Sequence, residues 1–111
     1  MFENYRMADA MLSWGDPLGA VRELTPLLAG QPTYAVRLLA ARAYYHSAQL
    51  RRAEDLLVVL VEEDPTDHYA RFLLARTLER AGRRDESVRH FRLAAALSPN
   101  EDYAEALARV S

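Results

Sequence analysis

The chain has 111 residues, half of them hydrophobic, with a formal net charge of −2 and no cysteine. This composition argues against disorder and excludes a disulfide framework and thiolate chemistry. It gives no electrostatic reason to expect nucleic acid or an anionic membrane as a partner. No apolar run is long enough to span a membrane, and the first 16 residues lack the basic start and apolar block of a signal peptide. We therefore expect a cytoplasmic protein.

The spacing of apolar residues predicts seven helices, of which the first runs from about Phe2 to Ser13. Asp16 is expected to cap the second helix, with Pro17 at its first position, where a missing amide hydrogen costs nothing. Pro26 lies inside that helix and predicts a kink there, or an end of the regular helix near Leu24.

The third helix is expected to follow the cap residue Thr33 and to run to about Ser47, and the fourth to span residues 50–63. The fifth and sixth lie between Thr66 and Pro99. They are separated at Gly82, which can adopt the left-handed conformation that closes a helix. Asn100 starts a seventh helix, whose apolar stripe is Tyr103, Leu107 and Val110 and which we expect to cover the preceding helices.

The helices repeat in pairs with a nearly constant period. Ala41 follows Ala8 by 33 residues, and Ala75 follows Ala41 by 34. Six columns share this register: Ala8/Ala41/Ala75, Gly15/Ala48/Gly82, Ala20/Ala53/Ser87, Leu24/Leu57/Phe91, Leu27/Leu60/Ala94 and Pro32/Pro65/Pro99. A period of this length with two helices in each unit is typical of a helical solenoid.

In these columns the chain resembles the tetratricopeptide repeat (TPR) family, over about residues 2–99. It departs from the family pattern where Asn4, Arg37 and Arg71 replace an early Trp and where Ala48 replaces the turn Gly. The resemblance implies an all-α, right-handed superhelix of three repeats, at about residues 2–32, 33–66 and 67–99. A capping helix at about 100–110 completes one domain of residues 1–111.

Catalytic and metal-binding patterns are missing from the sequence. His46, His68 and His90 fall on three different helices without a second ligand at helical spacing, which favours surface or groove histidines over a metal site. The acidic cluster of Glu62, Glu63, Asp64 and Asp67 lacks the alternating oxygen ligands and the Gly of a calcium loop, so we interpret it as a solvated link. The prediction is a protein that is not an enzyme and holds neither a metal nor a cofactor.

The stretch from Arg76 to Arg92 is rich in arginine, which favours either an anion-binding patch or a solvated face. Glu79, Asp85 and Glu86 are interleaved with the arginines, and pairing at helical spacing would neutralise much of the charge. We favour the solvated face. The absence of Lys and Ile from the chain indicates a composition bias, such as that of a GC-rich bacterium, and not a functional mark.

In TPR proteins the first helix of each repeat lines a concave groove, and the resemblance implies which residues would do so in this chain. One end of the groove would be aromatic and aliphatic, and the other would carry Arg and His. The predicted partner-binding residues are Phe2, Tyr5, Asp9, Leu38, Arg42, Tyr45, His46, Tyr69, Phe72 and Arg76. Chaperone-binding TPR proteins hold a terminal carboxylate with Lys and Asn. The corresponding positions here are Tyr5, Asp9, Leu39, Tyr69 and Leu73, so that specialisation is not supported.

Two functions remain open from the sequence. The first is a non-catalytic protein–protein interaction module whose apolar groove accepts a peptide or helix of a partner protein. The alternative is an assembly module in which the groove or an end face is buried in a homodimer or a larger homo-oligomer. Neither hypothesis names the partner.

Overall fold

The computed structural model describes residues 2–111 and contains seven α-helices within that range. They are α1 (Phe2–Ser13), α2 (Pro17–Leu28), α3 (Tyr34–His46), α4 (Leu50–Glu63), α5 (His68–Arg80), α6 (Arg84–Leu97) and α7 (Glu101–Val110). The all-α prediction and the order of the seven helices are confirmed. Every helix in this part of the chain is too short or too polar to cross a lipid bilayer.

Side-chain caps fix where four of the helices begin. Asp16 accepts a hydrogen bond from the amide of Gly19 at 2.9 Å, and Thr33 accepts one from Val36 at 3.2 Å. Asp67 accepts one from Ala70 at 3.0 Å, so one member of the acidic cluster caps α5. Asn100 accepts hydrogen bonds from the first amides of α7. Each cap satisfies a backbone donor that has no partner inside its helix.

The turn that joins the two helices of each repeat has the same backbone geometry three times. Gly15, Ala48 and Gly82 have φ angles of 80°, 63° and 82°. Each of these residues donates to a carbonyl three residues earlier, and the next residue donates to one five residues earlier, at distances between 2.8 and 3.1 Å. This is the Schellman closure of a helix, which requires a left-handed residue. Ala48 therefore adopts a conformation that favours glycine.

Pro26 does not end α2, which continues to Leu28. Because the helix continues past Pro26, the expected end of regular helix near Leu24 is not found. Beside Pro26, the hydroxyl of Thr25 donates to the carbonyl of Val21 at 2.7 Å, one turn earlier on the same helix. Leu24 is fully buried in the core, and packing of this apolar face stabilises the helix beyond what its local propensity would allow.

The chain forms two compact units, which divide between Leu56 and Leu57. In the first unit, a buried cluster joins α1, α2 and α3 around Ala8, Ala20, Leu24, Leu39 and Ala40. In the second, Phe91 and Ala94 of α6 pack with Phe72 of α5 and with α7. The prediction of one domain with three repeats and a capping helix is not tested by this division and stays a prediction.

The seventh helix covers α5 and α6 within the second unit. Tyr103, Ala106 and Val110 are buried in its core cluster, and Leu107 packs against that cluster. Arg84 of α6 donates to the backbone carbonyls of Arg109 and Val110 at 3.1 Å each, so it caps the C-terminal end of α7. The expected role of the seventh helix as a cover is confirmed for this unit.

Candidate functional site

An apolar cavity of about 340 Å³ lies at the beginning of α1 and α3 in the first unit. It is lined by Phe2, Tyr5, Thr33, Ala35 and Val36. The ring of Phe2 is 72% exposed, whereas Tyr5 is half-buried and packs against the core. Phe2 and Tyr5 belong to the predicted binding residues, and the structure places them together at this cavity.

The position that this cavity leaves open in the first unit is filled by an aromatic ring in the second unit. Ala35 and Tyr103 occupy the same column of the repeat, as do Tyr5 and Phe72. In the second unit the ring of Tyr103 stacks on the ring of Phe72, with the centroids 4.5 Å apart. In the first unit the methyl group of Ala35 stands where an aromatic ring would lie beside Tyr5. The space that Tyr103 fills in one unit is thus open in the other.

A second cavity of about 350 Å³ lies at the other end of α1 and α3. Leu12, Ser13, Gly15, Pro17, Arg42 and His46 line it. The Nη1 atom of Arg42 is 3.8 Å from the Oδ1 atom of Asp9, and both side chains are partly exposed. Such a pair contributes little to stability, and it leaves most donors of the guanidinium available. The Nε atom of Arg42 is buried and donates to no described residue.

The two cavities are separated along α1 by the distance from Tyr5 to Ser13. At a rise of 1.5 Å per residue this separation is about 12 Å. The half-buried side chain of Leu38 belongs to α3, between the residues that line the two cavities. The first unit therefore presents two cavities on the surface of the same two helices. One is the apolar cavity, and the other, lined by Arg42 and His46 among others, we call the basic cavity.

Two of the predicted binding residues are buried. Tyr45 is 5% exposed, and its ring meets that of His46 edge-on at 5.2 Å. Phe72 is 9% exposed, because α7 covers it and Phe91 packs against its edge at 5.6 Å. We place both rings in the core, where they offer little surface to a partner.

In the second unit, Phe72, Phe91 and Tyr103 form an aromatic cluster. The other predicted binding residues of this unit are Tyr69 and Arg76. The guanidinium of Arg76 lies over the ring of Phe72 at 5.7 Å, a cation–π distance, and Tyr69 is half-buried. The hydroxyl of Tyr103 and the Nδ1 atom of His68 form a hydrogen bond of 2.7 Å. Burial raises the pKa of Tyr103, with a smaller contribution from Tyr69. Tyr103 therefore stays a neutral donor or acceptor at physiological pH.

The arginine-rich stretch has several internal partners. Arg83 pairs with Glu86 at 2.8 Å, and its hydrogen bond holds the pKa of that carboxyl below its usual range. Arg84 is engaged with backbone carbonyls, and Glu79 accepts two hydrogen bonds from Arg109 of α7. These contacts favour the solvated face over an anion-binding patch. Among residues 2–111, no group of three or more His, Asp or Glu side chains is arranged to hold a metal ion.

Three residues that line the apolar cavity, Thr33, Ala35 and Val36, are not among the predicted binding residues. The signal for Ala35 was present in its column, where a small residue stands between the aromatic residues Phe2 and Tyr69. A small side chain between large ones in one column indicates a hollow. The sequence alone does not predict the cavity, because the position is open or filled depending on how the neighbouring helix packs.

Solved structures similar to this one include a TPR domain. The second TPR domain of the human RPAP3 protein, solved in complex with the HSP70 peptide SGPTIEEVD, matches with a TM-score of 0.84 and 16% sequence identity, over 96% of this chain and 91% of that one. This chain has a TPR-like fold. The resemblance drawn from the repeat columns is confirmed at the level of the fold.

Two MamA structures also match. A structure described as MamA RS-1 ArsTM double mutant has a TM-score of 0.88 and 21% identity over 96% of this chain. A crystal structure of MamA has a TM-score of 0.77 and 13% identity over 86% of this chain. This chain spans 61% and 57% of the length of those two chains. No protein-family model matches the sequence, and no curated protein matches it.

Proposed function

We propose that this TPR-like chain is a non-catalytic protein-binding module that accepts a peptide or helix of a partner protein. The binding site is the surface of α1 and α3 that carries the two cavities. The proposal rests mainly on the apolar cavity beside Tyr5, which has the form of an unfilled aromatic position. The likeness to a TPR domain solved with a bound peptide supports the same kind of function.

The apolar cavity would receive an aromatic or large aliphatic side chain of the partner. In the second unit the ring of Tyr103 fills this column of the repeat and stacks on Phe72. Tyr5 offers the equivalent surface beside the cavity in the first unit. Stacked aromatic pairs contribute beyond the area that they bury, and aromatic side chains often dominate the energetics of binding surfaces. An aromatic anchor is therefore the first determinant of the ligand.

The basic cavity would receive an acidic group of the same segment. Arg42 can hold a carboxylate through two parallel hydrogen bonds, and such charge-assisted contacts are stronger than neutral ones. A carboxylate bound there would compete with Asp9, whose contact with Arg42 is long and partly exposed. An extended chain advances about 3.3 Å per residue, so the acidic residue would lie about four positions from the anchor.

The proposal is tested by selecting ligands from a display library of random peptides. We expect the selected peptides to share an aromatic or large aliphatic residue and, about four residues away, Asp or Glu. Tyr5→Ala should weaken their binding by more than about 1 kcal/mol, and Ala35→Tyr, which fills the cavity, by a similar amount. Arg42→Ala should weaken binding and also make it less dependent on ionic strength.

Arg89→Glu provides the matched control, because Arg89 is an exposed residue of α6 and lines neither cavity. The control variant should bind with wild-type affinity. If Arg89→Glu abolished binding while Tyr5→Ala and Ala35→Tyr left it unchanged, the partner would bind outside the cavities and the proposed site would be wrong. Circular dichroism of each variant would show that the helices are retained.

A further inference from the structure

Asp9 lies between the two cavities of the first unit, on the same face of α1 as residues that line them. Tyr5, Asp9 and Ser13 follow one another at intervals of four residues, which places them one above the other on a helix. Tyr5 lines the apolar cavity and Ser13 lines the basic cavity. The surface of α1 and α3 is therefore apolar at one end, acidic in the middle and basic at the other end.

The carboxylate of Asp9 is free to accept further hydrogen bonds. Its contact with Arg42 is 3.8 Å long, beyond hydrogen-bond distance, and the Asp9 side chain is 56% exposed. The hydroxyl of Ser13 donates to the backbone carbonyl of Asp9 and not to its carboxylate. The neighbouring charge on α1, Arg6, has its guanidinium over the ring of Phe2 at 6.0 Å. Because an ionised carboxylate has about four lone-pair sites, Asp9 can bind a donor from a ligand.

The packing of the helices does not require this pair of charges. In the second unit, Arg76 occupies the column of Asp9, and Val110 occupies the column of Arg42. Val110 is buried, so α5 and α7 meet at these positions through an apolar side chain. In the first unit, by contrast, the Nε atom of Arg42 is buried and donates to no described residue, which costs free energy. The charges are thus an addition to the common packing, and they face the surface that carries the two cavities.

We propose that Asp9 selects the ligand by binding an Arg or Lys side chain placed between the ligand's anchor and its acidic residue. This inference rests on the proposed function of the same surface. The acidic residue of the ligand pairs with Arg42 and its basic residue pairs with Asp9, so two charge-assisted contacts replace one long contact. A ligand without the basic residue brings its own carboxylate next to that of Asp9, and this repulsion disfavours it.

The spacing along α1 fits an extended ligand. At a rise of 1.5 Å per residue, Tyr5 and Asp9 are about 6 Å apart along the helix axis, as are Asp9 and Ser13. An extended chain advances about 6.6 Å over two residues and directs every second side chain to the same side. The anchor at position i, the basic residue at i+2 and the acidic residue at i+4 therefore all face α1 and α3.

Three synthetic peptides of seven residues test this order of side chains. Each has Phe as the anchor and Asp four positions away in a background of Gly and Ser, with Arg, Gln or Glu midway between them. All are amidated and carry fluorescein, so that fluorescence anisotropy measures their affinity. Each is made in both chain directions, and the direction that binds wild type more tightly is used. We expect the Arg peptide to bind about fivefold more tightly than the Gln peptide, and the Glu peptide to bind least tightly.

Variants of Asp9 assign this preference to its carboxylate. Asp9→Asn should abolish the preference for Arg over Gln and should tighten the binding of the Gln peptide, because Arg42 loses its internal competitor. Asp9→Lys should reverse the order, so that the Glu peptide binds most tightly. Asp55→Lys is the matched control, since it changes the net charge equally at an exposed residue of α4 that lines neither cavity. It should keep the wild-type order, and circular dichroism should show intact helices in each variant.

The possible failures are distinguishable. If the three peptides bind equally and Ala35→Tyr weakens all of them, the proposed site stands and the role of Asp9 is wrong. The same change of order in Asp55→Lys as in Asp9→Lys would also refute it, because net charge would then explain the preference. If wild type binds none of the peptides at millimolar concentration, or if Ala35→Tyr leaves their binding unchanged, both this inference and the proposed function are wrong.

Discussion

The ring of Tyr103 stacks on the ring of Phe72, with the centroids 4.5 Å apart and the planes inclined by 30°. This contact joins α7 to α5, and the hydrogen bond between the Tyr103 hydroxyl and His68 adds a polar link between the same helices. Stacked and hydrogen-bonded, one side chain connects the last helix of the chain to the core of the second unit.

Tyr103→Ala is therefore expected to lower the free energy of unfolding by about 3–5 kcal/mol, because it removes a buried ring and leaves a cavity over Phe72. Tyr103→Phe should cost only about 1 kcal/mol, since it keeps the stack and loses the hydrogen bond to His68. Urea unfolding followed by circular dichroism measures both values. Equal losses in the two variants would show that the hydrogen bond, and not the stack, holds α7 in place.

Ala48→Gly is expected to stabilise the protein by about 0.5–1 kcal/mol. Ala48 has a φ of 63°, a conformation in which a Cβ atom is unfavourable, and glycine removes that strain at some cost in unfolded-chain entropy. The reciprocal change, Gly82→Ala, should destabilise by a similar amount, because Gly82 occupies the same column with a φ of 82°. Thermal melts of the two variants should shift in opposite directions. A lower melting temperature for Ala48→Gly would contradict this account of the turn.

His90 is expected to make stability depend on pH. Burial, together with the charges of Arg89 and Arg71, lowers the pKa of His90 to about 4 from its ordinary value of 6.5. Between pH 6.5 and about 4 the unfolded chain binds a proton at this residue that the folded chain excludes. The contribution of His90 to the free energy of unfolding should therefore decrease as the pH falls through this window, and it should level off below about 4.

His90→Gln should reduce this decrease, which is measured by urea unfolding at several pH values across the window. Nuclear magnetic resonance of the folded protein gives an independent check. The difference in proton binding between the unfolded and the folded chain requires the imidazole of His90 to titrate near pH 4 in the folded protein. A midpoint near 6.5 would show that water reaches the buried Nδ1 atom of His90, which has no hydrogen-bond partner among the described residues, and the pH dependence would then have another source.

Local sequence determined the helices and their repeat. Asp16, Thr33 and Asn100 cap helices through contacts within three residues, and the left-handed turn at Gly15 and Gly82 needs only glycine and a helix end. A register of six columns was then enough to identify the TPR-like fold. These features depend on neighbours in the chain, so the sequence predicts them without knowledge of the packing.

The candidate site depended on tertiary structure. Phe72 has the helical position of a groove residue, but it is buried because α7 lies over it, and the orientation of α7 follows from the packing of Tyr103 and Val110. The cavity beside Tyr5 arises because Ala35 is too small to fill a column that Tyr103 fills elsewhere. Each of these features is a matter of what lies opposite a side chain, and apolar spacing along one helix specifies a face without specifying its neighbour.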